Sequence, residues 1–160
     1  MKCKNFFKTM TAAICAASLL MAGCGSDKAA DDTIKIGAIG EMTGGNASYG
    51  TSMMRGFKLA VKEINANGGV NGKKLVLVEA DTKSEPAEAA NAMSKLINQD
   101  KVPMVAGIFT SSSAIAACNI SETAKIPYLA IGATNPSVTL AKDGSTKPNT
   151  FRVCFIDPFQ

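Results

Sequence analysis

Residues 103–131 read PMVAGIFTSSSAIAACNISETAKIPYLAI and contain a complete strand–helix–strand pattern. The apolar run 103–108 has the length of a strand, a helix is predicted over roughly residues 112–125, and a second apolar run covers residues 127–131. Two strands that are joined through one helix lie parallel in a sheet, with a right-handed crossover. This stretch therefore predicts an α/β fold.

The same pattern extends in both directions along the chain. Residues 34–40 and 74–80 predict two further strands, and residues 151–156 predict a fifth. The helix between the first two strands has an apolar face made of Met53, Phe57, Ala60, Val61 and Ile64. The next helix begins at Pro86, and its predicted buried stripe consists of Ala89, Met93, Leu96 and Ile97. Residues 34–156 thus predict one α/β lobe built on a doubly wound parallel sheet.

The first 23 residues have the composition of a signal peptide. Lys2, Lys4 and Lys8 precede an uncharged apolar segment that is too short to span a bilayer. Small residues stand directly before Cys24, as they do where a lipoprotein signal peptidase cuts and the cysteine is lipidated. We therefore predict a lipid anchor on Cys24 and a flexible polar tether over residues 24–33, which attach the protein to a membrane without crossing it. The alternative is an ordinary cleaved signal in which Cys24 is incidental.

The composition excludes several classes of function. The chain has no histidine, so neither a Ser-His-Asp relay nor an imidazole metal ligand can form within it. Three of the 17 basic residues lie in the predicted signal peptide, and the other 14 nearly balance 13 acidic residues, which argues against a nucleic-acid surface. The motif G-x-G-x-x-G is absent, and no cofactor or metal is predicted. Cys118 and Cys154 are predicted to be two buried thiols, although their separation leaves pairing open.

Three polar loops follow predicted strands, at residues 41–50, 109–113 and 132–138. In open parallel sheets, ligands bind beyond the carboxyl ends of the strands, where the strand order reverses. The second loop contains three consecutive serines, residues 111–113, and at least one of them is expected to cap the helix that follows. Another serine, together with free N–H groups at the start of the helix, can bind a carboxylate. A nucleophile would need a base, so a binding cradle is favoured.

The other two loops supply further candidate residues. Thr134 brings a hydroxyl and Gly132 an open carbonyl, so the second and third loops together can bind both ends of a zwitterion. The alternative for the third loop is a plain βα turn that begins at Asn135-Pro136. Tyr49, in the first loop, can pack on a ligand or can cap the edge of the sheet.

Four stretches carry a resemblance to a known family. They are IKIGAIGEMTG at residues 34–44, YGTSMMRGFKLAVKEINANGGVNGKKLVLVEADTKSEP at residues 49–86, GIFTSSSAIAA at residues 107–117 and IPYLAIGATNP at residues 126–136. Together they resemble the periplasmic leucine/isoleucine/valine-binding proteins, which are the type I solute-binding components of branched-chain amino acid ABC transporters. The order of these stretches is far more specific than any one motif.

The resemblance implies two α/β lobes joined by a hinge, with the amino acid bound in the cleft between them. It implies that the hydroxyls of Ser111 and Thr134 bind the ligand carboxylate and that the Gly132 carbonyl accepts a hydrogen bond from the ligand ammonium group. It further implies that Tyr49 packs over the ligand. Ser112 is an additional candidate for ligand binding. The second lobe, which supplies the acidic partner of the ammonium group in this family, is missing from this chain.

The resemblance thus predicts the N-terminal lobe of a lipid-anchored, extracytoplasmic substrate-binding protein that delivers a small aliphatic amino acid to an ABC transporter permease. Residues 157–160 are expected to begin the hinge crossing, where the chain is cut. One alternative is a sensory ligand-binding module of the same fold, and another is a cargo of amides or other small polar solutes. No enzymatic activity is predicted, because Ser111 or Ser112 could act as a nucleophile only with a base from outside this chain.

Overall fold

A computed structural model of the chain describes residues 32–157. The predicted signal peptide, Cys24 and most of the predicted tether fall on residues 1–31 and lie outside this range. Residues 158–160 of the expected hinge crossing lie outside it as well. Within residues 32–157, no helix is both long enough and apolar enough to cross a membrane.

Within the described residues, five parallel strands form one sheet in the order β2-β1-β3-β4-β5. The strands are β1 (Thr33–Gly40), β2 (Lys74–Asp81), β3 (Val105–Gly107), β4 (Tyr128–Ala130) and β5 (Thr150–Arg152). The chain adds β2 on one side of β1 and then adds β3, β4 and β5 on the other side. The strand order therefore reverses between β1 and β3, and the predicted doubly wound parallel sheet is confirmed.

In the described part of the chain, three helices and one short turn lie between the strands. They are α1 (Ala47–Ala66), α2 (Pro86–Asn98), α3 (Ser111–Ala124) and a 3-10 turn (Pro136–Val138). The prediction for α2 is confirmed, because the helix begins at Pro86 and its buried residues are Ala89, Met93, Leu96 and Ile97. Helix α3 begins at Ser111, one residue earlier than predicted.

The two faces of the sheet are covered differently. On one face, α2 and α3 enclose the main core, in which Ile39, Val105 and Tyr128 are fully buried. Helix α1 packs on the opposite face, where Met53 lies against Gly40. Along the apolar face of α1, Met53, Phe57 and Val61 are half-buried, whereas Ala60 and Ile64 are exposed. The face that carries α1 is therefore only partly covered by residues 32–157.

Helix α1 lies very close to the end of β1 because it carries a glycine at the contact. Gly50 and Met54 are the buried residues of this helix. A Cβ atom added at Gly50 would lie 2.1 Å from the carbonyl oxygen of Glu41, whereas one added at Gly56, further along the same helix, would meet nothing within 4 Å. The absence of a side chain at Gly50 thus sets the distance between α1 and the sheet.

Two predictions near the end of the described range were wrong. The last strand was predicted over residues 151–156, but β5 ends at Arg152. Its ladder is short because its partner β4 has only three residues, from Tyr128 to Ala130, and each of them already pairs with one residue of β5. Both thiols are free, and Cys118 is buried as predicted, but Cys154 is only half-buried because it lies beyond the end of β5.

Candidate functional site

The three predicted loops meet at the carboxyl edge of the sheet. The register aligns Ile39 of β1 with Gly107 of β3, and Gly107 with Ala130 of β4. The loops that follow these strands therefore leave the sheet at the same level. The edge between β1 and β3 is the point where the strand order reverses, which is where open parallel sheets bind ligands.

Helix α3 presents an open N-terminus at this edge. Thr110 occupies the N-cap position, but no side chain there makes a capping hydrogen bond. The predicted serine cap is therefore wrong, since the three serines are already the first residues of the helix. The first backbone bond of the helix runs from the N–H of Ala114 to the carbonyl oxygen of Thr110. Within residues 32–157 the N–H groups of Ser111 and Ser112, which are not buried, have no acceptor, so they remain available to an anion at the positive end of the helix dipole.

Ser111 joins the second loop to the third. Its hydroxyl oxygen accepts a hydrogen bond from the backbone N–H of Asn135 at 3.2 Å. This contact uses a lone pair and leaves the hydroxyl hydrogen free to donate to a ligand. Ser112 is exposed, and Ser113 is fully buried with a hydroxyl that has no partner within residues 32–157. Of the three serines, Ser111 has the position expected of a ligand donor.

Thr134 and Gly132 lie on the third loop, beside Ser111. The hydroxyl of Thr134 and the carbonyl oxygen of Gly132 have no hydrogen-bond partner among residues 32–157, so both are available to a ligand. The loop itself is held from below by Arg152 of β5. The guanidinium group donates to the carbonyl oxygens of residues 133–136 at 2.9 to 3.4 Å and to the hydroxyl of Thr139 at 2.5 Å. Arg152 therefore fixes the loop and adds positive charge beneath it.

An aromatic pair forms the floor of a groove next to these loops. The rings of Tyr49 and Phe109 are stacked, with centroids 4.5 Å apart and an angle of 7° between the planes. Phe109 also lies against Gly132, where an added Cβ would come within 2.4 Å of the ring. The groove has a volume of about 660 Å³ and is lined mainly by apolar atoms, including those of Met53, Phe57 and Ile131. Tyr49 is 53% exposed, so its position is compatible with packing on a ligand.

Two acidic residues tie the loops to neighbouring strand ends. Asp81, at the end of β2, accepts hydrogen bonds from the N–H groups of Met42, Thr43 and Lys83 and from the Thr43 hydroxyl at 2.6 to 3.2 Å. Burial raises the pKa of Asp81, but these hydrogen bonds outweigh it, so the pKa lies below its ordinary value of 3.8. Glu41, at the end of β1, accepts from the loop after β3 in the same way. The loops at this edge are thus cross-linked to one another.

The sequence profile of the periplasmic binding proteins matches residues 33–158. The chain belongs to the periplasmic binding protein family. This is a family of solute-binding proteins and not of enzymes. Within residues 32–157 of this periplasmic binding protein, no group of three or more Asp, Glu or Cys side chains is arranged to hold a metal ion.

Several proteins similar to this periplasmic binding protein are amino-acid-binding proteins. An amino acid binding protein of Pseudomonas aeruginosa is 40% identical over 136 residues, and the leucine-specific-binding protein of Salmonella typhimurium is 38% identical over 136 residues. Each alignment covers 85% of this chain and 35% of the relative. The branched-chain amino acid transporter substrate binding protein LivJ of Streptococcus pneumoniae, solved in complex with isoleucine, superposes with a TM-score of 0.73 and 41% identity over 78% of this chain and 34% of LivJ. The chain thus spans about a third of the length of these proteins.

Sequence reasoning about this periplasmic binding protein did not single out Phe109, Arg152 and Glu41. Each had a signal in the sequence. Phe109 is an aromatic residue directly after an apolar strand, Arg152 is a charged residue inside an apolar run, and Glu41 is an acid at the end of the first strand. None of these signals indicates which loop the side chain contacts, because the contacts depend on the strand order. The structure therefore adds the residues that hold the site together to those predicted to touch a ligand.

Proposed function

We propose that this chain is the N-terminal ligand-binding lobe of an extracytoplasmic substrate-binding protein that captures a branched-chain or similar small amino acid and delivers it to an ABC transporter permease. The leucine-specific relative and the isoleucine complex of LivJ support this choice of ligand. The signal peptide over residues 1–23, the lipid on Cys24, the tether over residues 24–33 and the hinge crossing from residue 157 are parts of the same proposal.

The observation that carries the proposal is the open N-terminus of α3. The N–H groups of Ser111 and Ser112 have no acceptor among residues 32–157, and the Ser111 hydroxyl beside them retains its hydrogen for donation. A carboxylate accepts several such bonds at once, and the helix dipole favours its negative charge. Thr134 adds a second hydroxyl from the neighbouring loop, and the Gly132 carbonyl is available to an ammonium group. This set of donors and acceptors matches an α-amino acid.

The apolar groove beside the loops would bind the aliphatic side chain of the amino acid ligand. Tyr49, Phe109, Phe57 and Met53 supply apolar surface next to the carboxylate cradle. The groove is open on this lobe, so a second lobe would have to close over the ligand and exclude water from its polar ends. Ligand contacts made by both lobes would then favour the closed state, which the permease would recognise.

Titration calorimetry on the full-length mature protein tests the proposed cargo. We expect binding of L-leucine, L-isoleucine or L-valine and much weaker binding of L-leucinamide, because the amide lacks the carboxylate that the α3 N-terminus would hold. Equal affinity for leucine and leucinamide would contradict the carboxylate cradle. Binding of some other small polar solute alone would keep the fold and reassign the cargo.

Ser111→Ala tests the cradle directly. Removing the hydroxyl should weaken leucine binding by about 1–3 kcal/mol, the usual cost of losing a hydrogen bond to a charged group. Ser94→Ala is a matched control, because Ser94 lies on α2, away from the loops, and its hydroxyl accepts a hydrogen bond from Asn98 of its own helix. Calorimetry should show unchanged affinity for this control. An unchanged affinity for Ser111→Ala would remove Ser111 from the site.

A further inference from the structure

Glu41 is a fully buried carboxyl group that none of the roles above requires. It is 0% exposed and directly follows the last residue of β1. One carboxyl oxygen accepts from the N–H of Phe109 at 3.0 Å, and the other accepts from the N–H and the hydroxyl of Thr110 at 3.0 and 2.7 Å. All of these donors belong to the turn between β3 and α3. A buried carboxyl group is stable only with such partners, so Glu41 and this turn depend on each other.

The turn that Glu41 holds has an unfavourable backbone conformation. Ile108 has a φ angle of +57°, which is rare for any residue with a side chain and most unfavourable for a β-branched one. Gly107, just before it, has a φ of +139°, and an added Cβ would lie 1.8 Å from the carbonyl oxygen of Ile39. Such conformations persist only when surrounding contacts impose them. The hydrogen bonds to Glu41 begin at the residue directly after Ile108 and supply that constraint.

The two residues that Glu41 holds lead directly into the candidate site. Phe109 stacks on Tyr49 and lies against Gly132, and Thr110 is followed by Ser111, the first residue of α3. A change in the backbone at residues 109–110 would therefore move the apolar floor of the groove and the start of the helix together. Glu41 itself is too deeply buried to contact a ligand, so any effect on binding would act through these residues.

We propose that Glu41 is a positioning residue, which holds the strained β3–α3 turn in the conformation that places Ser111 and Phe109 for the ligand. The part of this inference that concerns the ligand rests on the proposed function. The part that concerns the turn rests on the contacts of Glu41 alone. The two parts can be measured separately on one variant.

Glu41→Gln keeps the shape of the side chain but leaves one acceptor oxygen, and its NH₂ group then faces an N–H donor of the turn. In the full-length mature protein, we expect hydrogen exchange at the amides of Phe109 and Thr110 to be faster by about tenfold or more, while the slowest amides of β1 and β2 keep their protection. The affinity for L-leucine or L-isoleucine should fall by about tenfold or more in calorimetry.

Glu79→Gln is the matched control. Glu79 lies on the neighbouring strand β2, is exposed and forms an ion pair with Lys58 on α1 at 3.0 Å. The same chemical change there should leave exchange at residues 109–110 and the ligand affinity as in the wild type. Thr110→Val gives a milder version of the Glu41 change, since it removes only the hydroxyl contact at 2.7 Å. It should shift exchange and affinity in the same direction by a smaller factor, and it remains informative if Glu41→Gln does not fold.

The outcomes separate the two parts of the inference. Wild-type exchange at residues 109–110 in both Glu41→Gln and Thr110→Val would overturn the role of Glu41 in the turn. Faster exchange with unchanged affinity would show that the turn does not position the ligand groups and would overturn the positioning role. A wild-type protein that binds neither L-leucine nor L-isoleucine would refute the proposed cargo, while the exchange experiment would still decide whether Glu41 holds the turn.

Discussion

Because α1 lies in close contact with the end of β1, we expect alanine substitutions at two glycines of this helix to have opposite effects on the free energy of unfolding. Gly50 lies against the backbone of Glu41, whereas Gly56 faces open space. In the middle of a helix, replacing glycine by alanine normally stabilises a protein by about 0.5–1 kcal/mol, because the glycine backbone loses more freedom on folding. Gly56→Ala should therefore raise the free energy of unfolding by about that amount.

Gly50→Ala should have the opposite effect. The added Cβ would lie 2.1 Å from the Glu41 carbonyl oxygen, 2.4 Å from its carbonyl carbon and 2.8 Å from its nitrogen. All three atoms are backbone, so no side chain can rotate away, and α1 must move by about 1 Å to restore an ordinary contact. Overpacking of this kind costs about 1–3 kcal/mol or more, which exceeds the gain in helix propensity. We expect a net loss of about 1–2 kcal/mol.

Urea denaturation of the full-length mature protein, followed by circular dichroism, measures both effects. The two variants differ by one methyl group each at positions six residues apart, so the difference between their unfolding free energies isolates the contact with Glu41. If Gly50→Ala were as stable as Gly56→Ala, the close packing of α1 on β1 would be refuted.

Two further predictions concern residues that fix the loops. The pKa of the Asp81 carboxyl group in the folded protein lies below its ordinary value of 3.8. The ionised carboxylate therefore stabilises the fold above about pH 4, and this stabilisation is lost as the pH falls through the folded-state pKa. Asp81→Asn should lower the urea midpoint at pH 7 and make the midpoint less sensitive to pH between about 4 and 2, and an unchanged pH dependence would contradict this. Arg152→Lys should reduce the free energy of unfolding by about 1–3 kcal/mol, because one ammonium group cannot reach the row of carbonyl oxygens that the guanidinium group binds. Arg55→Lys, on the exposed side of α1, is the control and should leave the free energy of unfolding unchanged.

Most of the fold could be predicted from the sequence because the pattern of apolar residues is local. The buried stripe of α2 follows from its spacing, and Pro86 marks the start of that helix. The last strand could not be bounded in this way. Residues 151–156 look like one strand, but the length of β5 is set by its partner β4, and the sequence does not reveal which strand is the partner.

The loops of the candidate site could be predicted from local sequence patterns, but the residues that support these loops could not. The loops that contain Ser111, Gly132 and Thr134 were identified because each follows an apolar strand, and the structure places them at one edge. Their supports were missed, because Glu41 holds a turn 68 residues away in the sequence and Arg152 holds a loop that precedes it by about 16–19 residues. Contacts over such distances depend on strand order, which local patterns do not specify.

The order of the strands also has a consequence for how the lobe is assembled. Each strand pairs with one that precedes it in the chain: β2 and β3 with β1, β4 with β3, and β5 with β4. Synthesis delivers the chain from its N-terminus, so every new strand meets an edge that has already been made. The sheet can therefore grow outward from β1 in the order of translation, without an early strand waiting unpaired for a late one.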